Sequence, residues 1–200
     1  MIANGFFLPI YYDYVHQSRL SRLQEELSGA VNAIKSENLF KKNPKWEAHT
    51  HRLSDPSFRT NVIEKYSLEL FKKELEFHVT QYMKEIQLPE ERQSSFDIKG
   101  CWITQTMPGE YAHPHTHGHS DLSGVYYIKT NTRDGNIYFN SPLSLLSHSF
   151  CFEHIPSQAQ YTPEVGKIIM FPGWLEHGVK SNDSDEERIS ISFNITFKRD

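Results

Sequence analysis

Four histidines stand at alternate positions near the middle of this 200-residue chain, within the stretch Tyr111-Ala-His-Pro-His-Thr-His-Gly-His-Ser-Asp121. The alternating residues are His113, His115, His117, His119 and Asp121. In an extended backbone successive side chains point to opposite faces, so all five would leave from one face, which could hold a metal ion. The same residues could instead form a solvated, histidine-rich loop, because water is an easy hydrogen-bond partner for imidazole.

A second group of polar residues follows a short apolar strand further along the chain. The segment Gly166-Lys-Ile-Ile-Met-Phe-Pro-Gly-Trp-Leu-Glu-His177 contains a Pro-Gly break, which predicts that the strand ends there and that His177 lies at the mouth of a barrel. The next strand begins at Arg188 and alternates between polar and apolar residues. Its polar face carries Arg188, Ser190, Ser192 and Asn194, and its apolar face carries Ile189, Ile191, Phe193 and Ile195. A polar strand face beside several imidazoles indicates a binding site.

The sequence carries three motifs in a fixed order. They are Pro-His-x-His-x-x-x-x-Leu-Ser-Gly-Val-Tyr-Tyr from residue 114, Phe-Pro-x-Trp-x-x-His-x-Val from residue 171 and Arg-x-Ser-x-Ser-Phe-Asn from residue 188. In these motifs the sequence resembles the 2-oxoglutarate and Fe(II)-dependent oxygenases, and among them a family of small members from marine bacteria and phages. The resemblance covers residues 98–198. It implies a mainly β fold with N-terminal helices (α+β), a double-stranded β-helix of the jelly-roll or cupin-like barrel type.

The resemblance also implies a metal site. His115 matches the first ligand, His177 matches the distal ligand, and His117 falls where the superfamily usually has a carboxylate. Three imidazoles would leave Fe(II) with its full double charge, which changes redox potential and metal preference. Asp121 is the alternative carboxylate ligand if the loop folds back, and an arrangement with fewer protein ligands is the third possibility.

Four residues are candidates for binding the cosubstrate 2-oxoglutarate. Arg188 matches the group that binds its distal carboxylate, and Ser190 on the same strand face could add a hydroxyl. Tyr127 matches a tyrosine of the prolyl-hydroxylase-type enzymes that donates to this carboxylate, and Gln105 lies at an offset used for the same purpose in some related oxygenases. Each has an alternative: Arg188 as a surface partner of the acidic loop 183–187, Tyr127 as a packed tyrosine, and Gln105 as an ordinary strand residue.

Further residues are weaker candidates for a substrate pocket, either stacking on a flat substrate or serving only as packing: Trp102, Tyr111, Trp174 and Asn194. The long connection 141–163 either crosses between sheets or lines the substrate entrance. His49 and His51 also alternate, and we interpret them as exposed loop histidines in preference to a second metal site.

Apolar spacing in the first half of the chain predicts helices. Residues 15–34 carry apolar side chains three and four apart, and residues 57–87 carry a longer stripe with one break, which suits helices that cover a sheet. Strands are predicted at 6–12, 98–107, 123–129 and 137–140, and residues 35–60 are predicted to form a loop. We expect one domain, with a strand and supporting helices in residues 1–97 and the β core in residues 98–200.

Composition excludes several classes of protein. The formal charge of -4 argues against a nucleic-acid surface as the main feature. Two cysteines are too few for a disulfide scaffold, and the chain lacks a basic secretory start and an apolar run long enough for a membrane span. We therefore expect a cytoplasmic protein, in the host cytoplasm if it is phage-encoded, with no membrane partner and a homodimer as the default oligomeric state.

Three functions fit these residues. The first is a 2-oxoglutarate-dependent oxygenase with Fe(II), which consumes O2, hydroxylates an unknown primary substrate and releases succinate and CO2. The second is a three-His cupin-type dioxygenase without a keto acid, in which Arg188 has no required role. The third is a non-catalytic metal-binding β-barrel that buffers Zn(II) or Ni(II), for which His177 would be dispensable.

Overall fold

The computed structural model describes residues 8–43, 50–90, 96–143, 150–151 and 153–198. The helices in this part are α1 (Gln17–Ser36), α2 (Val62–Lys65) and α3 (Glu69–Glu85). The strands are β1 (Tyr11–Tyr14), β2 (Arg52–Leu53), β3 (Phe96–Thr106), β4 (Ala112–His115), β5 (Leu122–Lys129), β6 (Ile137–Asn140), β7 (Gln158–Tyr161), β8 (Lys167–Pro172), β9 (His177–Val179) and β10 (Arg188–Phe197). None of the helices described is long and apolar enough to span a bilayer.

The strands form two antiparallel sheets. The larger has the order β1-β8-β5-β10-β3-β2, and the smaller has the order β4-β9-β6-β7. Side chains from β5 and β8 of the larger sheet pack against β6 of the smaller one, and the rings of Phe139 and Phe171 meet with their centroids 4.8 Å apart. This arrangement confirms the mainly β fold of the double-stranded β-helix type.

Helices α1 and α3 cover the outer face of the larger sheet. They contribute Leu27 and Leu75, both fully buried, to the same cluster as Ile191 and Phe193 of β10. Full burial of each such side chain is worth about 1.5–3 kcal/mol, so this interface fixes which face of β10 points inward to the helices. The polar face of β10, with Arg188 and Ser190, therefore points between the two sheets, as the alternation predicts.

The boundaries of several elements differ from the sequence prediction. The helix predicted at 57–87 begins only at Val62 and breaks between α2 and α3, where Ser67 has a left-handed φ of 52° and the amide of Leu68 donates to the carbonyl of Ile63. Residues 35–60 contain the two-residue strand β2, and the long connection 141–163 contains β7. The strand predicted at 6–12 corresponds to β1, with residues 6 and 7 outside the described part; His49 also lies outside it.

Candidate active site

Three histidines come together between the two sheets at one end of the smaller sheet. His115, His117 and His177 each offer a ring nitrogen, and these nitrogens lie within 4.8 Å of one another. The ring centroid of His115 lies 4.4 Å from that of His177 and 5.2 Å from that of His117. Imidazole nitrogens at this spacing can share one metal ion.

Two of these rings are oriented by the backbone. His115 on β4 is the cross-strand partner of His177 on β9, and each ring has its Nδ1 2.9 Å from a carbonyl oxygen two residues earlier, that of His113 or Leu175. A carbonyl only accepts, so Nδ1 carries the proton and the lone pair lies on Nε2. Burial lowers the pKa of His115, although the bond to His113 and the charge of Glu176 act in the other direction. The neutral form, which is the form that binds metals, is therefore favoured.

The third ring is placed by a close contact between two loops. The amide of His117 donates to the carbonyl of Gly173 at 2.7 Å, and the carbonyl of His117 accepts from the amide of Ser120 at 2.8 Å. A Cβ at position 173 would lie 2.1 Å from the carbonyl oxygen of Ser120, so only glycine permits this approach. The His117 ring also stacks on Trp102, with centroids 6.1 Å apart and an interplanar angle of 29°.

The expectation that all five alternating side chains share one face is wrong. Strand β4 ends at His115, and its register with β9 shifts between Ala112 and His115, so that an extra residue interrupts the alternation. His113 is exposed as a result, and His119 is exposed in the turn that follows.

Asp121 lies apart from the three histidines. Its Oδ2 accepts a hydrogen bond from the amide of Phe197 at 2.7 Å, and its own amide donates to the carbonyl of Ile195 at 3.0 Å. The carboxylate thus fixes the end of β10. Among the described residues, the group close enough to share a metal ion consists of the three histidines and does not include Asp121.

A buried arginine faces the same cavity. Arg188 is 4% exposed; its Nη1 donates to the carbonyls of Asp134 at 2.7 Å and Gly135 at 2.8 Å, and its Nη2 donates to Thr106 Oγ1 at 3.0 Å. These bonds use three of the five N–H groups of a guanidinium. Nε is buried and has no partner among the described residues. Burial lowers the pKa of Arg188, with Tyr127 and Asp134 acting to raise it, but an arginine stays charged in proteins.

This geometry excludes the alternative in which Arg188 is a surface residue. The residue does not pair with the acidic loop 183–187 at the surface. Glu187 of that loop instead pairs with Lys35 and accepts a hydrogen bond from Gln105 at 2.7 Å. The guanidinium is therefore a buried positive charge with donors left over, which suits an anionic ligand.

Tyr127 and Ser190 line the cavity with Arg188 and the three histidines. Burial raises the pKa of Tyr127, Arg188 lowers it, and Asp134 raises it, with a net upward shift. Its hydroxyl is therefore protonated at neutral pH and can donate to an anion. Ser190 is buried and adds a second hydroxyl on the same strand face as Arg188.

The sequence of the β core matches a known family. Residues 100–194 match the family described as "Putative 2OG-Fe(II) oxygenase". This match assigns the β core of the chain, residues 100–194, to the 2-oxoglutarate/Fe(II) oxygenases. The protein is therefore an oxidoreductase that uses Fe(II) and 2-oxoglutarate. No curated protein matches the chain at a significant level.

Solved structures agree with this fold. The carbocyclase SnoK from nogalamycin biosynthesis, described as α-ketoglutarate-dependent, aligns with a TM-score of 0.65 and 9% identity over 96% of this chain and 81% of that one. The epimerase SnoN, in complex with Fe3+, α-ketoglutarate and nogalamycin RO, aligns with a TM-score of 0.65 and 10% identity over 94% and 79%. A Pseudomonas putida prolyl-4-hydroxylase aligns with a TM-score of 0.56 and 14% identity over 94% and 92%. At these identities the likeness concerns the fold.

The cavity of the oxygenase has residues that fit both Fe(II) and 2-oxoglutarate. Two imidazoles locked with their Nδ1 protons on carbonyl oxygens present the donor type that Fe(II) accepts. The buried Nε of Arg188, together with one unused Nη2 proton, fits a carboxylate of the cosubstrate.

The structure does not bring every predicted site residue to the cavity of the oxygenase. Gln105 points to the opposite face of β3, where it bonds to Glu187. The ring of Tyr111 contacts His113, and Trp174 is 54% exposed. Asn194 accepts a hydrogen bond from Ser123 at 2.8 Å and does not line the cavity. Of the four weaker pocket candidates, only Trp102 lines it.

Three site residues were missed by the sequence prediction. Thr104 lines the cavity and Thr106 holds Arg188, and both could have been found from the two-residue period of β3, because Trp102 is on the same face. His51 lines the cavity although it was interpreted as an exposed loop histidine. No local pattern marks His51, because its position depends on the pairing of β2 with β3.

Proposed function

We propose that this oxygenase binds Fe(II) through His115, His117 and His177 and 2-oxoglutarate through Arg188, and that it hydroxylates a C–H bond of a primary substrate. The observation that carries the proposal is the buried Nε of Arg188, which lacks a partner among the described residues and lies in the cavity that the three histidines line. When bound, Fe(II) and 2-oxoglutarate would supply the chemistry that activates O2, of which one oxygen atom would enter the substrate hydroxyl and the other succinate, with release of CO2.

The chain contributes a neutral, preoriented ligand set. The carbonyls that accept from Nδ1 of His115 and His177 fix each ring in one tautomer and one orientation. Since no carboxylate of the described residues joins the three histidines, the ion would keep its full double charge and attract a dianionic keto acid more strongly than a two-His, one-carboxylate site would.

Arg188 supplies a second positive charge that attracts 2-oxoglutarate. Its side chain is fixed by the carbonyls of Asp134 and Gly135 and by the hydroxyl of Thr106, so the guanidinium is already aimed before the ligand arrives. The remaining Nε and Nη2 protons can make charge-assisted bonds to the distal carboxylate of 2-oxoglutarate, which a lysine could match only as a point charge. Tyr127 lines the same cavity, and its protonated hydroxyl can donate a further bond to the cosubstrate.

Apolar side chains keep water away from the reacting groups. Val125, Ile137 and Phe171 are buried and line the cavity between the sheets. A dry wall strengthens the attraction between the buried cations and the cosubstrate, and it limits side reactions with water.

A three-His dioxygenase without a keto acid would use the same ligands. It would leave a buried arginine with unused donors and no anion to bind, at a considerable desolvation cost. The burial of Arg188 therefore favours the keto-acid oxygenase.

The proposal is tested by an anaerobic titration of the apoprotein with Fe(II) and then with 2-oxoglutarate, following the weak visible charge-transfer band of an Fe(II)-chelated keto acid. Arg188→Lys should keep Fe(II) affinity and weaken 2-oxoglutarate binding by about tenfold or more. Arg133→Lys, in an exposed loop, is the matched control and should bind both like the wild type. A wild-type protein that binds Fe(II) but gives no band, or an Arg188→Lys variant with unchanged affinity, would refute the assignment.

A further inference from the structure

Residues 50–58 precede the residues that match the family, and one of them reaches the cavity. His51 lines the cavity together with the three clustered histidines and Arg188. The segment is tied to the β core at its start, where Thr50 exchanges hydrogen bonds with the backbone of Tyr111, including a donation from the Tyr111 amide at 2.7 Å. It is therefore a fixed part of the site.

The middle of the segment is bonded to strand β3. Leu53 pairs with Thr104, the amide of Ser54 donates to the carbonyl of Ile103 at 2.8 Å, and the Ile103 amide returns a bond to Ser54 Oγ at 3.1 Å. Buried backbone bonds of this kind hold His51 in register with the cavity face of β3.

Phe58 at the end of the segment has an unusual conformation. Its φ is 55°, in the left-handed region, which is sterically unfavourable for a residue with a Cβ. Its ring lies edge-on to Trp102, with centroids 5.1 Å apart at 84°, and Trp102 in turn stacks on His117. Phe58 is nevertheless 38% exposed, so part of an aromatic surface beside the metal-binding histidines faces outward. A strained residue held in this way is more typical of a binding site than of simple packing.

A neighbouring carboxylate holds that conformation. Asp55 accepts from the amide and the hydroxyl of Ser57, at 2.8 Å and 2.5 Å, and from the amide of Thr60 at 2.9 Å. The amide of Phe58 donates to the carbonyl of Asp55 at 3.2 Å. The turn therefore presents the Phe58 ring before any ligand binds.

The charge of the cavity restricts what can bind beside these residues. Among the described residues that line it, none is an aspartate or a glutamate, whereas Arg188 is cationic. The charges of Fe(II) and dianionic 2-oxoglutarate balance each other, and the buried carboxylate of Asp134, which lies outside the lining, acts on Arg188 from behind, where Thr130 and Asn131 donate to it. Glu176, whose charge acts on His115, is exposed and accepts a hydrogen bond from Asn140. The described lining itself thus offers a cation and hydrogen-bond donors but no acidic side chain, which favours an anionic partner over a cationic one.

From these observations we infer that residues 50–58 are the substrate-recognition segment, with His51 and Phe58 as specificity-determining residues for an anionic substrate that has a flat apolar part. The imidazole of His51 donates to the anionic group, and the edge-on pair of Phe58 and Trp102 packs against the flat part. This inference rests on the proposed function, because it places the substrate beside the bound Fe(II) and 2-oxoglutarate.

The test uses the protein loaded anaerobically with Fe(II) and saturating 2-oxoglutarate, and it measures binding of probes by calorimetry. The probes are benzoate, phenylacetate and indole-3-acetate, each compared with its uncharged amide. In the wild type, at least one acid should bind about tenfold more tightly than its amide. His51→Ala should remove most of that preference, and Phe58→Ala should weaken acid and amide alike by about three- to tenfold.

Matched control variants are His154→Ala and Phe77→Ala, which remove an exposed histidine and an exposed phenylalanine outside the cavity lining and should bind like the wild type. The charge-transfer band is recorded for every variant. If the band forms but no acid binds better than its amide, or His51→Ala and Phe58→Ala bind like the wild type, the inference is wrong while the oxygenase assignment stands. If the wild type gives no charge-transfer band, the oxygenase assignment and the inference about residues 50–58 are both wrong.

Discussion

His115 and His177 face each other across the antiparallel pair of β4 and β9, with their ring centroids 4.4 Å apart. In each ring Nδ1 donates a hydrogen bond to the carbonyl oxygen two residues earlier, at 2.9 Å. The two-strand pair thus supplies two equivalent nitrogen donors, and the loop that carries His117 needs to supply only one more.

Loss of one cross-strand histidine should abolish tight metal binding. We expect His177→Ala to weaken Fe(II) or Co(II) affinity by about 100-fold, since the remaining two ligands come from the end of β4 and the loop directly after it. His119→Ala, an exposed histidine of the same stretch, should have no effect. Calorimetric titration of the apoproteins with Co(II) measures both. Retention of most affinity in His177→Ala would support a local histidine cluster that buffers metal instead.

The close approach of the two loops at Gly173 should also be necessary for metal binding. Gly173→Ala would place a Cβ 2.1 Å from the carbonyl oxygen of Ser120 and 2.9 Å from that of His117. The loop must move, so we expect a stability loss of about 1–3 kcal/mol and weaker metal binding. Gly118→Ala, where a Cβ meets nothing within 4 Å, is the control for the same loop. Urea denaturation and Co(II) titration would contradict this account if the two variants behaved alike.

A carboxylate at position 117 should change the charge of the site without removing the metal. In His117→Asp the bound ion and its ligands carry one positive charge fewer, so we expect 2-oxoglutarate affinity to fall by about tenfold while Fe(II) still binds. The charge-transfer band in an anaerobic titration reports the affinity. Because the aspartate side chain is shorter than that of histidine, His117→Glu is measured beside it. Equal or tighter keto-acid binding in both variants would mean that charge does not control this step.

The turn that holds Arg188 should affect the cosubstrate more than the metal. Gly135 has a φ of 95°, and a Cβ there would lie 2.2 Å from the carbonyl oxygen of Lys180. We expect Gly135→Ala to displace the carbonyl that accepts from Arg188 and to weaken 2-oxoglutarate binding, with Co(II) affinity unchanged. Gly29→Ala on α1, where a Cβ meets nothing within 4 Å, should instead stabilise the fold by about 0.5–1 kcal/mol. Equal losses of metal and keto-acid binding in Gly135→Ala would show general unfolding.

The Asp55 turn predicts a pH dependence of stability. Partial burial acts to raise the pKa of Asp55, but hydrogen bonds from Ser57 and Thr60 outweigh it and lower the pKa from its ordinary value of 3.8 to about 2. The folded state thus prefers the carboxylate, so this contribution is fully present above pH 3.8 and is lost as the pH falls towards 2. Since the group is partly solvated, we expect Asp55→Ala to cost about 1 kcal/mol at pH 7 and less near pH 2.5. Denaturation curves at both pH values, with exposed Asp185→Ala as control, measure the difference; a cost independent of pH would contradict the assignment.

The sequence predicted the parts of the site that depend on short-range order. The alternation of β10 placed Arg188 and Ser190 on the polar face, and the resemblance to the oxygenases implied His115 and His177 as ligands, with His117 or Asp121 as the third. Tertiary pairing decided the rest. A register shift around Pro114 turned His113 outward, which the alternation alone could not reveal. The choice between Gln105 and its neighbours depended on which face of β3 is covered by the smaller sheet.

His51 shows the same limit more clearly. Its place in the cavity follows from two residues of β2 that bond to β3, about fifty positions later, and no local pattern encodes such a contact. An element this short has little propensity of its own, so only the assembled sheet defines it.

The positions of His115 and His177 also bear on how the chain folds. The two residues are 62 positions apart in the sequence, yet they become neighbours once β4 and β9 pair. An ion bound by both would act as a reversible cross-link that closes the intervening loop and restricts the unfolded chain, as a disulfide of that span does. The melting temperature of this protein should therefore rise with metal concentration, and the apoprotein should open first where the smaller sheet meets the histidine loop.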